Sequence, residues 1–88
     1  MAQSDPGEPV DLQVDQSRHR QAAAVDDALT ATENVVMFAR LAGLGRAAAR
    51  RRATDLIAQF DLTDAAARTV RTFSGGMRRR LDLALSFV

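Results

Sequence analysis

The sequence contains no cysteine, no tryptophan and no tyrosine, and all 12 of its basic residues are arginine, so lysine is missing as well. Without cysteine there is no disulfide framework, no thiolate metal site and no cysteine nucleophile. A single histidine, His19, excludes a multi-histidine metal cluster. No apolar run approaches the ~20 residues that a membrane-spanning helix needs. The opening residues are polar and acidic and do not read as a signal peptide. Both prolines, Pro6 and Pro9, fall in this opening stretch. A chain of 88 residues is one small domain or a piece of a larger one. At this size roughly 60–65% of the unfolded surface is buried on folding, so stability is expected to be modest.

The net charge of +1 conceals an asymmetry. Asp5, Glu8, Asp11 and Asp15 lie in residues 1–17 with no basic residue, whereas residues 18–88 carry every arginine. Residues 1–18 read as a flexible acidic arm. Residues 19–88 read as an all-α unit, a small helical bundle. Residues 19–29 hold alanines but no amphipathic stripe.

Thr30, followed three residues later by Glu33, is a capping-box pattern that opens a helix over about 31–42. Gly43 and Gly45 supply its stop signal. Val35, Val36, Ala39 and Ala42 fall on one side of it, and Phe38 and Leu41 on another. A helix apolar on two sides lies between two partners. The second helix is expected over 46–60. Its stripe of Ala49, Ala53, Leu56, Ile57 and Phe60 opposes Arg50, Arg51 and Asp55. Thr63 reads as the N-cap of a short helix over 64–68, and residues 69–73 as a connection. The last helix is expected over 75–88, with Met77, Leu81, Ala84, Leu85 and Val88 repeating the same spacing. The two stripes predict packing through Leu56, Ile57, Phe60, Leu81, Ala84 and Leu85. Leu83 and Phe87 form an extra apolar pair on another face. No glycine or proline closes this helix, and the pattern reads as a fragment of a longer domain.

The stretch TFSGGMRRRLDLALSFV carries a local contradiction. Glycine costs a helix roughly 1 kcal/mol relative to alanine. Arginine in the first turns opposes the macrodipole. Yet Ser74-Gly75-Gly76 opens the helix and Arg78, Arg79 and Arg80 follow at once. Free amides at a helix N-terminus bind anions, and glycine leaves no Cβ in the way. Ser74-Gly75-Gly76 therefore has the chemistry of half a phosphate site. The plainer alternative is an N-cap serine followed by a tight turn.

Residues Phe73 to Ala84 resemble the signature motif of ABC-transporter ATP-binding subunits, whose general form is LSGGQ followed, after two intervening residues, by arginine. Ser74, Gly75 and Gly76 match directly and Arg80 falls on the arginine, while Phe73 and Met77 depart from the general form. The variant SGGMRRRLDLA is similar to the daunorubicin-resistance-type branch. Gln21 to Asp26 and Leu29 to Asn34 resemble that branch's Q-loop region and the start of its helical subdomain. The resemblance covers about residues 20–88; residues 1–19 do not resemble the strand expected before a Q-loop.

The resemblance implies the helical subdomain of an ABC ATPase, incomplete as a nucleotide-binding domain. It implies ATP as cofactor, bound in trans with a complete partner domain, and Mg2+ only in the intact site. Ser74 and the amides of Gly75 and Gly76 would contact phosphate, and Gln21 would be the Q-loop glutamine or else a solvated loop residue. The implied partners are a second nucleotide-binding domain and a transmembrane permease, with drug or antibiotic efflux as the function. The implied location is cytoplasmic, peripheral to the inner face of the membrane. The P-loop of such enzymes requires a lysine that this chain lacks. No apolar run ends in Asp-Glu, and His19 precedes the signature instead of following it, so the chain is expected to be inactive alone.

The rival reading is a small helical protein- or nucleic-acid-interaction module using Arg50–Arg52 and Arg78–Arg80. No aromatic is interleaved with these arginines, and consecutive residues on a helix point in different directions, so nucleic acid is not expected as a partner.

Overall fold

Thr30 caps the first helix as its local pattern dictates. The computed structural model describes residues 24–88. The expected acidic arm and Gln21 lie outside them. The Thr30 hydroxyl accepts from the Glu33 amide at 3.0 Å, and the Glu33 carboxylate accepts from the Thr30 amide at 2.8 Å. Helix α1 then spans Ala31–Leu41. It ends on Gly43, whose φ of 103° is a left-handed conformation that glycine adopts without Cβ strain. The Gly43 amide donates to the Arg40 carbonyl and the Leu44 amide to that of Ala39, which closes a Schellman motif.

Helix α2, Arg46–Gln59, ends in the same way but with a different residue. Asp61 takes the left-handed position, φ 59°, and the Leu62 amide reaches back to the Ile57 carbonyl at 2.8 Å. Helix α3 spans Gly75–Leu85. Among the described residues there is no sheet; one isolated antiparallel bridge joins Thr30 and Thr69. The all-α expectation holds, and no described helix is long and apolar enough to cross a membrane.

The stripes pack as their spacing requires. Ala53, Leu56, Ile57, Leu81, Ala84 and Leu85 form one buried cluster with Ala31 and Val35, and Phe60, Met77 and Val88 pack against it half-buried. Burying each large aliphatic side chain contributes about 1.5–3 kcal/mol. Helix α1 touches both α2 and α3, as its two apolar sides predict. Leu41 remains 65% exposed, Leu83 50% and Phe87 58%.

Two local expectations need correction, and the connection gains detail. The segment over 64–68 is not a short α-helix, and Thr63 is not its cap. A 3-10 turn covers Thr63–Ala65, follows Leu62, and has no side-chain cap. The cause is Leu62, which the Schellman motif turns into the core at 1% exposure. The connection over 69–73 contains a second 3-10 turn, Val70–Thr72, pinned by the buried Val70. Finally, α3 stops at Leu85 rather than continuing to Val88. The Ser86, Phe87 and Val88 amides bond three residues back, and the Ser86 hydroxyl donates to the Leu83 carbonyl at 2.6 Å. Those tighter bonds end the α-helix without glycine or proline.

Candidate functional site

Ser74 occupies the N-cap of α3 in extended backbone, φ −68° and ψ 167°. Its hydroxyl accepts from the Met77 amide at 3.1 Å, and its carbonyl from the Arg78 amide at 2.9 Å. These bonds satisfy the third and fourth helical residues. The first two, Gly75 and Gly76, are exposed, and among the described residues their amides have no acceptor.

Nothing among the described residues requires glycine at either position. A Cβ built at Gly75 or Gly76 meets no atom within 4 Å, and neither residue has a positive φ. The helix-propensity cost of roughly 1 kcal/mol at each is therefore not offset by internal packing. What the glycines leave is bare backbone facing open space at the positive end of a helix. That arrangement can receive an anion at close range.

The arginines that follow separate. Arg78 is half-buried; its Nη1 lies 3.0 Å from Asp27 Oδ1 and its Nε 3.6 Å from Asp82 Oδ1. Arg79 is exposed. Arg80 lines a depression of about 270 Å³ with Asp61, Asp64, Arg68 and Met77. Arg68 itself donates to the Thr72 carbonyl at 2.9 Å and sits 5.9 Å from the centroid of the Phe73 ring. On α2, Arg52 donates to the Phe87 carbonyl at 3.2 Å, while Arg50 faces a groove beside α1. The arginines thus form no single stripe. Among the described residues no group of three acidic or histidine side chains gathers to hold a metal ion.

Comparison with known proteins decides the lineage. The ABC transporter family matches residues 5–88. The chain belongs to that family. Among curated relatives, a daunorubicin resistance ATP-binding protein of Streptomyces coeruleorubidus is 60% identical over 68 residues, covering 77% of this chain and 21% of the relative. A doxorubicin resistance ATP-binding protein of Mycobacterium tuberculosis is 54% identical over the same length, 20% of that protein. A linearmycin resistance ATP-binding protein of Bacillus subtilis is 34% identical, again over 68 residues, 22% of its length. The chain spans about a fifth of the length of the curated relatives it matches. No solved structure matches it.

Within this ABC-family chain the structure brings Ser74, Gly75 and Gly76 together at one helix end. Gln21 lies outside the described residues, so the structure does not relate it to them. Two residues that sequence reasoning passed over stand behind the site. Asn34 is completely buried. Its Oδ1 accepts from the Asp26 amide at 2.8 Å, and its Nδ2 donates to the carbonyls of Asp26 and Thr30 at 3.0 and 2.9 Å. Asp27, next in the segment Asn34 holds, contacts Arg78 across 51 positions of sequence. A polar residue on the apolar side of α1 was the available signal for Asn34; no signal in the sequence marked Asp27.

Proposed function

We propose that this chain supplies the signature helix of an ABC-type ATP-binding subunit, and that Ser74, Gly75 and Gly76 contact ATP held by a second nucleotide-binding domain. The observation that carries the reading is the pair of unpartnered glycine amides at the start of α3, with open space where side chains would otherwise stand. Gly75 and Gly76 would donate their amides to phosphate oxygens. Ser74 would keep the first turn capped while its hydroxyl proton stays free to donate. ATP supplies the anionic phosphate chain, and Mg2+ would belong to the complete site of the partner domain.

The relatives are named as daunorubicin and linearmycin resistance ATP-binding proteins, which supports a role in drug resistance. On our reading that role is drug or antibiotic efflux, with a transmembrane permease as the second partner and the inner membrane face as the place of work. Gln21 would act as the Q-loop glutamine. The scatter of the arginines favours this reading over a nucleic-acid surface, which needs basic side chains gathered along one face.

The test is a chimera in which this chain's residues replace the matching 68 residues of the Streptomyces coeruleorubidus relative. Gly76→Asp would place a carboxylate beside the two amides. ATP-driven dimerisation should be lost while each subunit's own ATP affinity stays within about twofold. Arg51→Ala, on the exposed face of α2, should change neither. Normal dimerisation of Gly76→Asp would reduce Ser74-Gly75-Gly76 to a turn and a cap.

A further inference from the structure

Asp27 grips the chain on both sides of the Ser74–Gly76 segment. Its carbonyl accepts from the Arg71 amide at 3.0 Å, three residues before Ser74. Its carboxylate accepts from Arg78 Nη1 at 3.0 Å, two residues after Gly76. The geometry points to Asp27 and Arg78 as positioning residues that hold the phosphate-facing glycines at a set orientation to the rest of the fold. The inference rests on the proposed role of those glycines and extends it to Asp27, outside the motif that resembles the family signature, and to Arg78 within it.

The segment that presents Asp27 is anchored firmly enough to act as a reference. Asn34 takes both the amide and the carbonyl of Asp26. The Asp26 carboxylate accepts from the Ala28 amide at 2.9 Å, and the Leu29 carbonyl accepts from the Val70 amide at 2.9 Å. Residues 26–30 are thereby tied to α1 on one side and to the turn leading into α3 on the other. The bare amides of Gly75 and Gly76 can make no side-chain contact that would orient them. Met77, next to Gly76, packs against the buried cluster, and Arg78 adds the hydrogen bond from this turn of α3 to the 26–30 segment.

Arg78 is also shared. Asp82, one turn further along α3, lies 3.6 Å from its Nε, and that nitrogen is buried without a hydrogen-bond partner among the described residues. The Asp82 contact travels with α3, whereas the Asp27 contact crosses to another segment. Any displacement of residues 26–30 relative to α3 must therefore stretch or release the Asp27 contact first.

Both side chains are about half exposed, 41% and 54%, so one such contact should alter an equilibrium only about twofold to fivefold. A symmetric dimer holds two, which compounds to about tenfold. In the chimera, Asp27→Asn and Arg78→Gln should each weaken ATP-dependent dimerisation by about tenfold, and the double variant should be no weaker than either single. ATP affinity of the subunit's own site should stay unchanged, and the melting temperature should fall by no more than about 4 °C, too little to account for the loss of dimerisation. In the 88-residue chain itself, Asp27→Asn should raise hydrogen exchange at the Arg78 amide threefold to fivefold and leave Leu81 unaffected.

Unchanged dimerisation in both single variants overturns the inference. So does a double variant whose loss is the product of the singles, or a fall in melting temperature that accounts for the effect. Gly76→Asp separates the two levels. If it dimerises normally, the phosphate reading fails; if it fails to dimerise while Asp27→Asn is normal, only the positioning role does.

Discussion

Replacing Asn34 with aspartate changes one NH2 group to oxygen and leaves the side-chain volume almost untouched. The Asp26 amide keeps its acceptor at Oδ1, but the two donations from Nδ2, to the carbonyls of Asp26 and Thr30, are lost. Each such bond is worth about 0.5–1.5 kcal/mol net. An ionised carboxylate at this fully buried position would also face two carbonyl oxygens, which adds to the loss. The Thr30 carbonyl retains the Asn34 backbone amide at 3.0 Å, which limits the damage at that end. The expected destabilisation is therefore about 3 kcal/mol. A domain of this size has only about 4–13 kcal/mol in total. At roughly 4–8 °C per kcal/mol the midpoint should fall by about 10–25 °C. The assay is urea and thermal unfolding followed by circular dichroism in the helical band. Asn34→Ala, which loses all three bonds, serves as the comparison. A change below about 0.5 kcal/mol for Asn34→Asp would mean that residues 24–30 are not held by this side chain, and the anchoring argument for Asp27 would go with it.

Asp61→Gly should stabilise the chain by about 0.5–1 kcal/mol, because glycine adopts the left-handed closing position of α2 without Cβ strain, and Gly43→Ala should cost about 1 kcal/mol for the opposite reason; both are read from the same unfolding curves. Leu83→Gln should reduce binding of a hydrophobic dye while leaving the unfolding midpoint nearly unchanged, since Leu83 is half exposed on the outer side of α3. Purified alone, the chain should hydrolyse no ATP, and a turnover that survives rigorous purification and vanishes on Ser74→Ala would contradict the trans reading.

Much of the fold was legible because its signals are local. Thr30 and Glu33 lie one helical turn apart, and their reciprocal bonds form wherever that pattern opens a helix. Gly43 ends α1 through a backbone conformation that is its own. The stripes of α2 and α3 predicted the buried cluster because a period of 3.6 residues leaves only one face to bury. At the candidate site, Ser74 as cap and Gly75 and Gly76 as exposed first-turn residues followed from the motif. The ends of elements were less legible. Leu62 does not stand out as a core residue, nor Asp61 as a Schellman residue, because an αL aspartate has no distinctive flank. The close of α3 at Leu85 depends on bonds three residues long that no breaker residue announces.

The amino-acid sequence by itself determined the helical class, the apolar faces and the chemistry available at Ser74-Gly75-Gly76, because each depends on residues within one or two turns of each other. It also showed that these 88 residues hold no lysine and so no P-loop among them. Tertiary structure alone decided what those faces meet and what stands behind the glycines. Asn34 turned from a helix residue into a buried anchor only when the 24–30 segment folded back over α1. Asp27 and Arg78 became a pair only when α3 closed against that segment. Their juxtaposition belongs to the packing of three helices, and separations of this length leave no periodicity or motif in the chain by which to read it.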